Sequence, residues 1–135
     1  MKKIEIDALT DNLGKVISFV TEQLEAAQFP MKTIMQIELA VEEIFVNIAH
    51  YAYAPKTGKA DISIEIVIDP TRAKITFADE GVPYDPLAKK DPDVTLSANE
   101  RAIGGLGIFM VKKTMDKVFY EYKNGQNVLT LEKNL

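Results

Sequence analysis

The sequence predicts an α+β fold: a two-layer α/β sandwich whose mixed, mostly antiparallel sheet carries its helices on one face. Two observations lead to this prediction. Apolar residues alternate with polar ones in some segments and recur every three to four residues in others. The segments follow the order strand, two helices, two strands, loop, helix, two strands, without regular strand–helix alternation. That order is typical of hairpins packed against helices rather than of parallel βαβ units.

The chain begins with a predicted strand and a predicted helix. Polar and apolar side chains alternate over residues 3–8, as in a half-buried strand. Thr10 or Asp11 is then available as the N-cap of a helix. The apolar positions that recur at helical spacing are Leu13, Val16, Ile17, Val20, Leu24 and Ala27.

A second helix is predicted from Pro30, as its first position, to about Tyr51. Its apolar stripe consists of Ile37, Ala40, Val41, Ile44 and Ile48. Leu39 and Val46 lie nearly opposite this stripe, so we expect the helix to be covered on more than one side.

The second half of the chain predicts two hairpins separated by a loop and a helix. Isoleucines at alternate positions within 61–69 and apolar residues within 73–77 predict the first hairpin, across a turn at 69–72. The periodicity disappears between Asp79 and Gly107, and a loop this long in a small domain is usually functional. Helical spacing resumes at Ile108, and the Asn-Gly turn at 124–125 predicts the second hairpin.

Composition excludes several classes of function. The 135 residues predict one domain, spanning 1–135. Sixteen Lys and Arg against 20 Asp and Glu give a net charge of −4, which argues against nucleic-acid binding. The absence of cysteine excludes disulfides and thiolate chemistry, and the single histidine, His50, excludes a multi-histidine metal cage. No apolar run approaches the roughly 20 residues of a membrane span, and no signal peptide is evident, so we expect a cytoplasmic protein.

Three short segments carry residues suited to chemistry. The first pairs Glu43 with Asn47 on one face of the second helix, because residues four apart are neighbours there. The carboxylate is able to take a proton, and the amide oxygen is a hard ligand suited to Mg²⁺. The alternative for this pair alone is a solvated position on an exposed face.

The second segment places Asp79 at the end of a strand, with Gly81 two residues later. A carboxylate there is able to accept a hydrogen bond from an exocyclic amine such as that of adenine. The glycine would allow a flat ring to approach the backbone closely. The alternative is an ordinary β-turn that begins with Asp.

The third segment is Gly104-Gly105-Leu106-Gly107, before the predicted helix at Ile108. Glycines at a helix N-terminus expose backbone N–H groups to a phosphate. A flexible hinge is the alternative. The segment is neither a P-loop nor a Rossmann fingerprint, because it lacks the Gly-Lys-Ser/Thr ending and follows a loop rather than a strand.

The three segments in this order resemble the GHKL ATP-binding superfamily, which includes gyrase and histidine kinases. Residues 37–53 resemble the N-box of the bacterial anti-sigma factor serine kinases, and 79–86 and 104–111 resemble their two glycine boxes. The resemblance covers essentially the whole chain and implies the histidine-kinase-like ATPase fold.

The resemblance implies a role for each matching residue. Asn47 would ligate the Mg²⁺ that bridges the ATP phosphates, and Glu43 would act as general base or orient the attacking group. Asp79 would accept the hydrogen bond from the adenine amino group, and Gly81 would let the base lie close.

The remaining matches concern the phosphates. Gly105 and Gly107 would present backbone amides to them, within a binding segment that also includes Gly104 and Leu106. The stretch from about 87 to 103 would be the ATP lid, with Arg101 as the candidate for a lid arginine that reaches the terminal phosphate. The resemblance assigns no chemistry to Tyr84 or Asp85. For His50, a packing or hydrogen-bonding role at the helix end is favoured over a role as phospho-acceptor.

The function that this resemblance implies is a serine/threonine protein kinase in a partner-switching circuit. Such a kinase uses ATP and Mg²⁺ to phosphorylate a serine of a small anti-sigma-factor antagonist; many relatives also hold a sigma factor, and they commonly form homodimers. The alternative is a non-catalytic, nucleotide-dependent module that sequesters a partner. A histidine-kinase fragment is disfavoured, because the chain lacks the separate phospho-acceptor domain.

Overall fold

A computed structural model describes residues 1–88 and 105–135, with the backbone alone for 105 and 106. Its centre is a five-stranded sheet with the spatial order β1-β2-β3-β5-β4. The strands are β1 (Lys2–Asp7), β2 (Lys59–Val67), β3 (Arg72–Asp79), β4 (Lys117–Lys123) and β5 (Gln126–Asn134). All four neighbouring pairs are antiparallel. The predicted α+β fold is therefore confirmed, but the sheet is antiparallel throughout the described residues rather than mixed.

Three α-helices cover one face of the sheet. They are α1 (Leu13–Ala26), α2 (Met31–Asn47) and α3 (Gly105–Thr114), and α2 packs between the other two. The fully buried side chains of the core come from both layers: Val16, Val20, Leu24, Ile37, Val41 and Phe45 from the helices, and Ile62, Ile75, Phe77 and Leu131 from the strands. These strand residues occupy alternate positions, so the other face of each strand carries residues such as Ser63 and Lys74. The fold is the predicted two-layer sandwich.

The helix ends differ from the predictions in three places. A short 3₁₀ turn, Thr10–Asn12, precedes α1, so neither Thr10 nor Asp11 is its N-cap. Pro30 lies one residue before α2 rather than in its first turn, with an extended backbone. The helical winding does reach Ala52, but Ile48–Ala52 forms a π-helical turn. Such turns occur frequently at functional sites.

Two further differences affect the surface and the site. The first turn of α3 includes Gly105, so residues 105–107 of the glycine segment form part of the helix instead of preceding it. Leu39 is 67% exposed, so the expectation that α2 is covered on its outer side is wrong at that position.

Candidate functional site

The sheet brings two polar side chains together where β3 ends. Asp79 is the last residue of β3 and pairs in register with Asn127 of β5. Both face the helices and are almost fully buried, with 6% and 8% of their surface exposed. Buried polar groups are stable only when their hydrogen bonds are satisfied, so the partners of these two side chains determine what the site is able to bind.

One carboxylate oxygen of Asp79 is held by the protein. Its Oδ1 accepts hydrogen bonds from the backbone N–H of Gly81 at 2.9 Å and from Nδ2 of Asn127 at 3.0 Å. Among residues 1–88 and 105–135, the structure gives the other oxygen, Oδ2, no hydrogen bond. Because Asp79 also lines a cavity, Oδ2 is an oriented acceptor for an N–H group of a ligand.

Asn127 is the residue that fixes this arrangement, and sequence reasoning missed it. Its amide nitrogen also donates to the carbonyl of Val82 at 3.0 Å, while its Oδ1 accepts from the backbone N–H of Tyr84 at 3.1 Å. The hydroxyl of Tyr120 donates to the same oxygen. One side chain therefore connects β5, β4, the end of β3 and the following loop. The available signal was a polar residue at an inward position of β5, where Leu129 and Leu131 follow at alternate positions.

The phenol of Tyr120 remains a hydrogen-bond donor at neutral pH. Burial is the main cause that raises its pKa above the ordinary value of 10.0, and the charges of Asp85 and Asp79 raise it further. A backbone hydrogen bond with Tyr84 acts in the opposite direction. The protonated hydroxyl thus completes the set of partners around the Asn127 amide.

The glycine after Asp79 is required by a close backbone contact. A Cβ at Gly81 would lie 2.3 Å from the carbonyl oxygen of Ala52, which is closer than real side chains approach. The same carbonyl accepts the N–H of Val82 at 3.0 Å. The π-helical turn at the end of α2 thus packs directly on the loop that follows β3. This contact gives Gly81 a structural role in addition to its predicted role of letting the adenine ring approach the backbone.

Tyr53 ties the same region together from the other side. Its hydroxyl donates to the carbonyl of Lys59 at 2.6 Å and accepts the N–H of Glu80 at 2.8 Å. Burial is the main cause that raises the pKa of this phenol, so the group keeps its proton at neutral pH. The backbone on both sides of Asp79 and Gly81 is therefore fixed by side chains of the protein itself.

A second group of residues forms where α2 meets α3. Nδ2 of Asn47 donates to Oε1 of Glu43 at 3.2 Å, as the four-residue spacing predicted. A Cβ built on Gly107 would lie 2.1–2.3 Å from the carboxyl atoms of Glu43. The carboxylate therefore lies directly against the first turn of α3, at the positive end of the helix dipole. Two of the three segments that the sequence singled out, far apart along the chain, meet at this point.

A cavity of about 550 Å³ joins the two groups, within the usual range for a small-molecule site. Its polar lining includes Asn47, Asp79 and Asn127. The apolar lining includes Ile44, Ile48, Phe77, Ile108 and Leu129. Apolar walls that include a buried acceptor and an amide side chain are suited to a flat aromatic ring attached to a polar group.

Some predicted site residues lie outside the described part of the chain. These are Arg101, Gly104 and all of the predicted lid except residues 87 and 88, which belong to the short 3₁₀ helix Pro86–Ala88. Gly105 and Leu106 lie in the first turn of α3. The binding roles of all these residues stay predictions.

The structure gives contacts to three residues that had no assigned chemistry. The N–H of Tyr84 belongs to the network around Asn127. The carboxylate of Asp85 accepts the N–H of Leu87 at 2.8 Å within the 3₁₀ turn. His50 is exposed and lies edge-on to Tyr51, so its role is not burial in the core.

The donor set fits Mg²⁺ that arrives with a nucleotide. Within the ranges 1–88 and 107–135 the structure has no group of three or more His, Cys, Asp or Glu side chains able to hold a metal ion. Mg²⁺ is commonly held by one or two protein oxygens together with phosphates and water. Since Nδ2 of Asn47 is engaged with Glu43, its Oδ1 remains available as such an oxygen.

Within residues 1–88 and 107–135, no helix is long and apolar enough to cross a membrane.

Comparison with protein families gives one match over nearly the whole chain. The family described as "Histidine kinase-like ATPase domain" matches residues 6–133. This range includes every residue of the two groups and of the cavity that joins them.

Similar proteins of known name are protein kinases. The chain is 28% identical to serine-protein kinase RsbW of Listeria monocytogenes over 107 residues, covering 76% of this chain and 68% of that protein. It is 28% identical to serine-protein kinase RsbW of Bacillus pumilus over 131 residues, covering 93% of this chain and 81% of that protein.

Among solved structures, the chain resembles one from the crystal structure of the SiaB–SiaC complex of Pseudomonas aeruginosa. The TM-score is 0.61 at 14% identity, with 98% of this chain and 89% of that chain covered. At this identity the likeness supports the fold alone, and it agrees with the sandwich described above.

Proposed function

Because the chain belongs to the histidine kinase-like ATPase family, we propose that it binds ATP and transfers the terminal phosphoryl group to a serine or threonine of a protein partner. The relatives named serine-protein kinase support the choice of a protein hydroxyl as acceptor. Residues 1–135 would act as one ATP-binding domain, with the segment from about 87 to 103 as its lid.

One observation carries the proposal: Asp79 and Asn47 line the same cavity, and Asn47 is hydrogen-bonded to Glu43. This proximity supports a site in which Asp79 would be the purine acceptor, Asn47 the metal ligand and Glu43 the carboxylate base. An ATP site needs all three kinds of group.

At the base end, Oδ2 of Asp79 would accept a hydrogen bond from the 6-amino group of adenine. Asn127 and Gly81 hold Oδ1 and so orient the carboxylate before the nucleotide arrives. Ile48 and Ile108 line the space that the ring would occupy and exclude water from it. An acceptor fixed in advance loses little conformational freedom on binding, which favours affinity.

At the phosphate end, Oδ1 of Asn47 would ligate Mg²⁺, and the backbone N–H groups of Gly105 and Gly107 would bind phosphate oxygens at the N-terminus of α3. Gly104, Leu106 and Arg101 would complete the phosphate contacts. The metal, when bound, neutralises charge on the phosphates.

Glu43 would accept the proton of the attacking hydroxyl. The serine oxygen forms its bond to the terminal phosphorus, the bond between that phosphorus and the bridging oxygen breaks, and ADP leaves. The hydroxyl proton goes to the Glu43 carboxylate, which Asn47 orients. Catalysis of this kind depends on positioning and charge stabilisation rather than on a covalent intermediate.

We propose a small anti-sigma-factor antagonist as the phosphorylated partner, a sigma factor as a second partner, and a homodimer as the working form. The relatives named serine-protein kinase RsbW support a protein substrate.

The direct test combines the purified protein, labelled ATP, Mg²⁺ and the small antagonist protein that we propose as its substrate. We expect label on a serine of the antagonist. Confirmed ATP binding without any transfer would overturn the kinase assignment and favour the non-catalytic binding module.

Glu43→Gln separates these two functions further. The amide keeps the shape of the side chain but takes no proton, so we expect transfer to fall by roughly 100-fold or more. ATP affinity and antagonist binding should stay within about threefold of wild type. Glu25→Gln is the matched control, because Glu25 is exposed on helix α1 and does not line the cavity. Equal transfer by both variants would rule out Glu43 as the base.

A further inference from the structure

The outer side of α2 carries an exposed apolar ridge, which we define as Met31, Met35 and Leu39. Their side chains are 74%, 55% and 67% exposed. They follow one another at four-residue intervals, so they form a continuous row on one side of the helix. Exposed apolar residues are ordinary when scattered, but an aligned row of large ones marks an interaction surface.

The ridge leads to the proposed catalytic carboxylate. Glu43 is the next residue in the same four-residue series, and Asn47 follows it. Each step of four residues turns by about 40° around the helix, so the row winds from the outer side of α2 toward the cavity. From Met31 to Glu43 the series is about 18 Å long, which corresponds to roughly three helical turns.

We propose that this ridge is the docking surface for the protein substrate, and that it delivers the substrate serine to Glu43. This inference rests on the proposed kinase function, because it is the acceptor protein that must approach the terminal phosphate. The occupant is a folded partner with a complementary apolar face, whose serine lies at the Glu43 end of the contact.

The chemistry of the ridge agrees with a protein partner that binds and leaves. Two of its three residues are methionines, whose flexible side chains adapt to different surfaces and are common at reversible interfaces. Glu42 directly precedes Glu43 on α2, is exposed and forms no ion pair with any described residue. A partner lysine or arginine next to the serine would complement it and fix the orientation of docking.

The test uses the double substitution Met35→Glu and Leu39→Glu, with the small antagonist protein that we propose as substrate as the binding probe. We expect its dissociation constant, measured by calorimetry, to rise at least tenfold. The dissociation constant of ATP and the melting temperature should stay unchanged, because both side chains are exposed and neither lines the cavity.

Two matched controls accompany it. Ile68→Glu introduces a charge at another exposed apolar residue, which is 70% exposed. Ile68 follows the last residue of β2, whereas Asp79 pairs with Ala60 at the opposite end of that strand. This variant should therefore leave antagonist binding unchanged. Leu39→Met keeps an apolar side chain on the ridge and should retain binding within about threefold.

Three outcomes would overturn the inference. Unchanged antagonist binding by the double variant would remove the ridge from the interface. A wild-type dimer in light scattering that the double variant converts to a monomer would assign the ridge to a second copy of the chain. Equal loss of binding in the Ile68→Glu control would show a nonspecific effect of charge.

The binding measurement separates this inference from the proposed function, since it needs no phosphoryl transfer. If wild-type protein binds the antagonist but transfers no phosphate, the kinase assignment fails while the ridge is still tested by the double variant.

Discussion

The surroundings of Asp79 and of Glu43, which we propose as the base end and the phosphate end of the site, are built in different ways. Around Asp79, the Asn127 amide and the backbone N–H groups of Gly81 and Tyr84 form a network made entirely by the protein. Around Glu43, the described residues supply one side-chain hydrogen bond, from Asn47 at 3.2 Å, and the close contact with Gly107. The proposed base end is therefore preorganised by the protein, whereas the proposed phosphate end would depend on the nucleotide and its metal to complete it. We expect substitutions at the base end to change affinity and those at the phosphate end to change the rate of transfer.

The largest effect on affinity is expected from Asp79→Asn. The asparagine keeps one oxygen for Gly81 and Asn127, but its NH₂ group then faces the adenine amino group, donor against donor. We expect the dissociation constant of ATP to rise by roughly 100-fold, measured by calorimetry, with little change in melting temperature.

Asp61→Asn is the control for that measurement, because Asp61 lies on the neighbouring strand β2 and faces away from the helices. Its ATP affinity should match wild type. If Asp79→Asn binds ATP as tightly as the control does, Asp79 is not the base acceptor and the proposed orientation of the nucleotide is wrong.

Gly107→Ala should lower the rate of phosphoryl transfer without weakening ATP binding. The new methyl group would occupy the position of the Glu43 carboxylate, which must move away from the first turn of α3. A displacement of about 1 Å at a reacting group is able to cost on the order of 100-fold in rate, so we expect transfer to fall by roughly 10- to 100-fold. ATP affinity should change by less than about threefold.

Gly14→Ala provides the matched control, because a Cβ there meets nothing within 4 Å in helix α1. That substitution should leave transfer unchanged and slightly stabilise the helix. A Gly107→Ala variant whose ATP affinity falls as much as its transfer rate would contradict the division between the two ends.

Asn127→Ala tests the network at the base end. It removes one of the two donors to Asp79 and leaves the Tyr120 hydroxyl and the Tyr84 N–H without their acceptor. We expect stability to fall by about 2 kcal/mol in chemical denaturation and ATP affinity to fall about tenfold. Asn12→Ala removes an exposed asparagine hydrogen bond to Asp7 and should have a much smaller effect on both. A loss of stability without loss of affinity would make Asn127 a purely structural residue.

The predictability of the fold followed from the strength of local patterns. The alternating isoleucines of β2 and the Asn-Gly turn placed both hairpins correctly, because periodicity and turn chemistry are local properties. The start of α3 at Gly105 was not predicted, since glycine disfavours helices and tertiary contact with α2 overrides that preference. The exposure of Leu39 depends on what packs beside α2, which its helical spacing alone does not determine.

The candidate site was likewise predictable only where a local pattern or the family resemblance applied. The Glu43–Asn47 pair followed from helix geometry, and the resemblance of three segments assigned Asp79 its role. Asn127 lies 48 residues from Asp79 and reaches it only through the register of β3 and β5. Sequence separation alone does not determine which residues of β3 and β5 pair, so this contact was found only in the three-dimensional structure.

The smallest effect is expected from Tyr120→Phe. This substitution tests whether the Tyr120 hydroxyl is needed to orient Asn127 and, through it, the Asp79 carboxylate. The substitution removes one hydrogen bond to Oδ1 of Asn127, but the N–H of Tyr84 still occupies that oxygen and the phenyl ring keeps its place in the cavity wall. We expect a loss of about 1 kcal/mol in stability and less than threefold in ATP affinity. Tyr122→Phe, two residues along β4 and about half exposed, is the control and should change neither. A tenfold loss of affinity in Tyr120→Phe alone would mean that the orientation of Asn127 depends on the hydroxyl. The base end would then be set by a chain of three side chains rather than by the Asp79–Asn127 pair.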